Sequence, residues 1–185
     1  MGFELVILAG VAAVILLFLV LLYNGLIRAR NTVDNSWSQI DVQLKKRSDL
    51  IPNLVETVKG YAKHEKAVFT EVTQARASML KAQTIGQKAK ASNMLSDALK
   101  SIFAVAEAYP QLRASENFKA LQEELSDIEG KIAYARQFYN DAVLEYNNSI
   151  QVFPNNVLAS PLGFLKREFF GISEAEKKLV KVKFD

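Results

Sequence analysis

The residues best suited to chemistry are few, and their spacing argues against an enzyme. His64–Glu65 opens like the zinc-protease pattern H-E-x-x-H, in which two histidines one turn apart hold the metal and the glutamate activates water. The fifth position here is Val68, and His64 is the only histidine in the chain, so the second ligand is missing. A lone histidine of this kind reads as a solvated or bundle-edge residue. A di-iron bundle would need Glu-x-x-His pairs on two helices. None of Glu71, Glu107, Glu116, Glu123, Glu124 and Glu129 has a histidine three residues on, so these acids read as solvated faces. The absence of cysteine excludes disulfides, thiolate metal sites and cysteine nucleophiles. No glycine-rich phosphate loop and no G-x-S-x-G elbow is present. The expectation is a non-enzymatic protein with no catalytic residue, cofactor or metal. A net charge of only +3 gives no global field of the kind that marks a nucleic-acid binder.

The elements that carry these residues begin with an apolar run. From Leu5 to Leu22 every residue is apolar, and no charge falls between Glu4 and Arg28. About 18 such residues at roughly 1.5 Å rise each match a hydrocarbon core of about 30 Å. Tyr23 and Asn24 then stand where an interfacial belt is expected. A cleaved signal peptide fits poorly, because no basic n-region precedes the run and no A-x-A-like site follows it. Residues 1–27 therefore read as a single transmembrane anchor. Arg28 and Arg30, then Lys45, Lys46 and Arg47, follow the span, whereas only Glu4 and the terminal amine precede it. By the positive-inside rule the following domain is expected in the cytoplasm, with a very short N-terminus outside.

Residues 28–154 read as an all-α, antiparallel, up-and-down bundle. Glycine and proline are scarce, while Ala, Leu, Glu, Lys and Gln dominate. Apolar residues recur in a 4,3 pattern at Val33, Trp37, Ile40 and Leu44, and again at Ile51, Leu54, Val58 and Tyr61. A second run is Ala91, Leu95, Ala98, Ile102, Val105, Tyr109. The longest runs from Phe118 through Leu125, Ile132 and Tyr139 to Tyr146, with Phe153 in register beyond it. A 3.5-residue spacing is the seam of helices crossing at about 20°. Breaks are expected near Ala82–Gly86, at Pro110 and at Pro154, with Ser115 or Asn117 as a cap. Asp41–Lys45 and Asp127–Lys131 are expected as i,i+4 pairs on the solvent face.

Two positions in the seam need a reason. Pro52 either kinks one long helix, giving three helices, or sits in the first turn of a new one after Ser48–Asp49, giving four. Matching helix lengths favours the turn, and would bring the C-terminus back to the membrane side. Arg47 interrupts the seam, and is expected on a bundle edge or paired with Asp49 or Glu56, since a buried unpaired cation would be costly.

Residues 155–185 read as an irregular Phe-rich segment with a strand-like end. Phe164, Phe169 and Phe170 surround Lys166 and Arg167, a mix that docks on the bundle end or lies in the membrane interface. Docking is the favoured reading. Val180, Val182 and Phe184 have strand period, suited to pairing with another protomer or to draping over the bundle.

From Tyr23–Asn24 onward the sequence resembles the LemA family. The stretch RNTVDNSWSQIDVQLKKRSDLIPNLVETVKGYAKHE, Arg30 to Glu65, is similar to that family's signature at nearly every position. ENFKALQEEL, the Tyr–Asn pairs at Tyr139 and Tyr146, Phe153–Pro154 and Gly163–Phe164 continue the likeness. The chain departs at Gly171, where the family usually has an acid. The resemblance implies an antiparallel bundle on an N-out, C-in helix, an association with envelope proteostasis, and no known catalytic residue. Together with the seam and the unpaired strand pattern, it points to a scaffold at the bacterial inner membrane. Such a scaffold would self-associate or hold a membrane protease or other inner-membrane protein. The alternative is a lipid-binding or remodelling module that uses the Phe-rich tail and basic residues.

Overall fold

The computed structural model of the chain describes residues 2–171. Among them the protein is all-α, with six helices and no strand. In order these are α1 (Gly2–Lys59), α2 (Lys66–Lys81), α3 (Ile85–Glu107), α4 (Pro110–Ala114), α5 (Glu116–Ser149) and α6 (Asn155–Ala159). They form two compact units, to both of which α1 and α5 contribute. Of the described residues, 2–38 with Phe138–Arg167 make one, and Gln39–Gln137 with 168–171 make the other. Val180, Val182 and Phe184 lie outside the described residues.

The first unit begins with the apolar run. Every large apolar side chain between Phe3 and Leu21 is exposed. This is the one helix among the described residues long and apolar enough to cross a membrane. Burial starts at Leu26 and Val33 of α1, and Tyr139, Val143 and Tyr146 of α5 are buried in the same unit. The Trp37 ring packs on Tyr139 at 5.6 Å between centroids.

The second unit is closed by a core drawn from α1 to α5. Ile51, Leu54 and Val58 meet Phe69 and Val72 of α2, Leu95 and Ile102 of α3, Leu112 of α4, and Phe118 and Leu125 of α5. Full burial of a side chain this size is worth about 1.5–3 kcal/mol relative to exposure. Helix ends follow local chemistry. At Gly60 the chain leaves α1, with the Ala62 amide donating back to Val58 O at 2.9 Å. α3 opens on a capping box: Thr84 Oγ1 accepts from the Gln87 amide, and Gln87 Oε1 accepts from the Thr84 amide, both at 3.2 Å. Pro110 takes the first position of α4, where a missing N–H costs nothing.

Several expectations change. No turn interrupts α1, a single 58-residue helix that passes through Pro52. The seam phase was the better guide here, because helices in this fold need not match in length. A prolyl residue in a helix interior leaves the carbonyl four residues earlier without its amide donor. That carbonyl belongs to Ser48, and Arg76 Nε from α2 donates to it at 2.9 Å. Phe153 does not continue the α5 seam. The helix stops at Ser149 and the ring stands 81% exposed. The first solvent-face pair also differs. Lys45 reaches Asp49 at 3.0 Å, and Asp41 receives Lys88 from α3. Lys131 does pair with Asp127, at 2.6 Å. His64 sits exposed in the α1–α2 turn rather than on a helix.

Candidate functional site

Arg47 is the largest fully buried side chain, 0% exposed, at the middle of the second unit. Its position follows from the seam: a residue three after Leu44 and four before Ile51 must face inward. Nη1 donates to Glu129 Oε2 at 2.6 Å and to Ser96 Oγ at 2.9 Å. Nη2 donates to Ser92 Oγ at 2.8 Å and to the Ser92 carbonyl at 3.1 Å. Ser96 Oγ in turn donates to Glu129 Oε1 at 3.1 Å. Asp49 and Glu56, the expected partners, instead pair with Lys45 and Lys59 on their own helix. Spacing conceals this network because its members come from three helices. The available signal was Ser92 and Ser96, one turn apart beside Leu95, with Glu129 next to seam residue Ile128. Glu129 is thus more than a solvated face, although its side chain is still 51% exposed.

An open groove of about 320 Å³ lies beside this network, between α3 and α5. Leu99, Phe103 and Leu125 form its floor, and Glu129 and Lys100 mark its rim. The described residues hold no cluster of three or more metal-ligating side chains. The arrangement ties three helices together through one cation, and supplies neither a nucleophile with a base nor a metal cage.

The first unit gathers most of the other predicted residues. Leu5 is exposed and Leu22 partly covered. Phe164 is buried, with its ring edge-on to Tyr23 at 5.9 Å and the Arg30 guanidinium 5.5 Å above it. Arg28 Nε turns back to the Asn24 carbonyl. Asn147 clamps the returning chain in both directions: its amide donates to the Arg167 carbonyl at 2.9 Å, and its oxygen accepts from the Arg167 amide at 2.8 Å. The Arg167 side chain then reaches Asp34 at 3.0 Å. Tyr146 is buried here, and desolvation raises its phenol above the ordinary tyrosine value against the opposing pull of Arg167 and Arg30.

In the second unit Pro52 is exposed, Phe169 half-buried and Phe170 buried. Gly171 has φ +72°, a left-handed conformation that favours glycine. Its carbonyl accepts from Arg136 Nη2 at 2.6 Å. A Cβ at this position would stand 2.9 Å from the Arg136 guanidinium carbon. At this departure from the resemblance, the contact is made by the backbone carbonyl.

An exposed apolar helix continuous with a cation-pinned, all-α bundle defines a class: helical-bundle proteins carried on a single membrane-compatible helix. The LemA family model matches residues 36–184, and the chain belongs to that family. It is similar to magnetosome proteins MamQ 1 and MamQ 2 of Paramagnetospirillum magneticum. Each is 25% identical over 178 aligned positions, covering 82% of this chain and 65% of the relative. It is also similar to Protein LemA of Metamycoplasma hominis, 26% identical over 159 positions, covering 83% of this chain and 71% of the relative. The chain therefore spans about 65% of the length of its magnetosome relatives.

Proposed function

We propose that this protein is a non-enzymatic scaffold of the LemA type, anchored in the bacterial inner membrane. Its bundle lies on the cytoplasmic side, where it self-associates or holds another membrane protein as part of envelope homeostasis. The observation that carries this reading is α1 itself. One 58-residue helix supplies both the exposed apolar span and the seam of the bundle, with no linker between them. A chain built this way positions a surface at a bilayer, and its buried polar network is spent on architecture. Arg28 and Arg30 directly after the span support the cytoplasmic placement.

Cross-linking in native membranes followed by mass photometry of the detergent-extracted particle tests the scaffold role. Oligomers or a stoichiometric membrane neighbour are expected. A strictly monomeric particle that captures no neighbour would refute it. Orientation is tested with single cysteines, which the cysteine-free sequence makes unambiguous. Lys63→Cys should resist an impermeant maleimide in intact cells and react after lysis.

A further inference from the structure

We infer that residues 150–165 form a second membrane contact, a compact loop that inserts apolar side chains into the bilayer interface next to the α1 span. Three independent features converge on it, all within the first unit. The first is place. Tyr146, in the last turn of α5, lines one groove with Gly25 and Arg28, and the chain returns so that Phe164 packs on Tyr23, the residue directly after the apolar run. The loop is thereby held at the height where the span leaves the hydrocarbon.

The second feature is composition. From Tyr146 to Leu165 no residue is charged, while Glu145 precedes and Lys166 and Arg167 follow. The third is exposure without looseness. Ile150, Ala159 and Phe164 are buried, and the Phe164 amide donates to Ala159 O at 2.9 Å to close the turn after α6. Yet Val152, Phe153, Val157, Leu162 and Leu165 all face outward, Phe153 by 81% and Leu165 by 73%. A fixed loop that shows water five large apolar side chains and no charge is a contact surface. Its level beside Tyr23 makes the lipid interface the occupant, since an aromatic and aliphatic face flanked by Lys166 and Arg28 matches acyl chains beneath headgroups.

This inference rests on α1 spanning the membrane, and the test reads the two separately. The full chain is placed in vesicles of phosphatidylethanolamine and phosphatidylglycerol with a nitroxide on a single cysteine at Phe153, Val157 or Leu165. Leu19→Cys reports the span and Lys63→Cys reports water. The readout is the collision rate with oxygen relative to a water-soluble nickel chelate. Labels at 153, 157 and 165 are expected to give ratios several-fold above Lys63 and approaching Leu19. Ratios equal to Lys63 while Leu19 reads as lipid would overturn the second contact and leave the anchor standing. Low collision with both reagents, or dipolar broadening that disappears on dilution with unlabelled protein, would overturn it in favour of a protein partner or a second copy. An aqueous Leu19 would overturn both readings. Because the labelled positions are exposed, unchanged circular dichroism is expected for every variant.

Discussion

Pro52 is tolerated in α1 because another helix completes what it leaves undone, and this dependence can be measured. Ser48 is fully buried, and its carbonyl accepts from Arg76 Nε in place of the amide that a proline lacks. Arg76→Met keeps much of the aliphatic stem but removes the donor. A buried carbonyl left without a partner costs about 1–3 kcal/mol, and a hydrogen bond from a charged donor has a similar net worth of about 1.5–3 kcal/mol. A loss of about 2 kcal/mol is expected, which in a chain of this size lowers Tm by roughly 4–8 °C at about 2–4 °C per kcal/mol. In a Pro52→Ala background the amide of residue 52 reaches Ser48 O. Arg76→Met should then cost within about 0.5 kcal/mol, the level of an ordinary surface change. The double-mutant cycle therefore predicts a coupling of about 1–2 kcal/mol between two residues linked through the Ser48 carbonyl. Urea unfolding of the full chain in detergent, followed by circular dichroism, supplies the four midpoints. Equal cost of Arg76→Met in both backgrounds would refute the reasoning, since the arginine would then matter for something other than the proline.

Other perturbations test the remaining contacts. Glu129→Ala leaves the buried Arg47 guanidinium with serine partners only. The expected cost is about 2 kcal/mol, below the 3–5 typical of a fully buried pair because Glu129 is half exposed. Arg47→Met combined with Glu129→Leu should recover most of that loss, and a double variant less stable than Glu129→Ala alone would contradict the account. Gly171→Ala forces an L side chain into a positive φ against Arg136, at a cost of about 1–3 kcal/mol. Tryptic cleavage after Lys166 or Arg167 should accelerate in that variant, and an unchanged cleavage rate would show the contact to be idle. Desolvation, then the charge and hydrogen bond of Glu65, raise the Tyr109 phenol above its ordinary value of 10.0. The folded state thus holds this proton more tightly. The resulting stability is complete below the ordinary value and lost as pH rises through the folded one. Tyr109→Phe should therefore unfold less steeply with rising pH above about 10.

Much of the fold was legible because it rests on periodicity. Val33, Ile40, Leu44, Ile51, Leu54 and Val58 are all buried as the 4,3 spacing requires. The apolar run declared itself by length alone. What the spacing could not show was any pairing between residues far apart in the chain. Arg47 looked like a defect because its partners lie on α3 and α5, and Pro52 looked like a break because Arg76 lies on α2. Phe153 kept the register of α5 after the helix had ended, since a heptad phase carries no information about where the backbone stops. Thr84–Gln87 is a capping box visible in the letters, although Gly86 between them is the more conspicuous sign of a break.

The buried arginine also sets a chronology. Ribosomes deliver α1 first, and the acid that neutralises Arg47 follows 82 residues later, after the serines of α3. Until Glu129 emerges, the guanidinium lacks its acidic partner, and burying it unpaired would be costly. The Ser48 carbonyl waits a shorter interval, 28 residues, for Arg76. The two long-range contacts thus become possible one after the other along the chain. A chain halted between them carries its own mark of incompleteness, a cation held where only a finished bundle can enclose it.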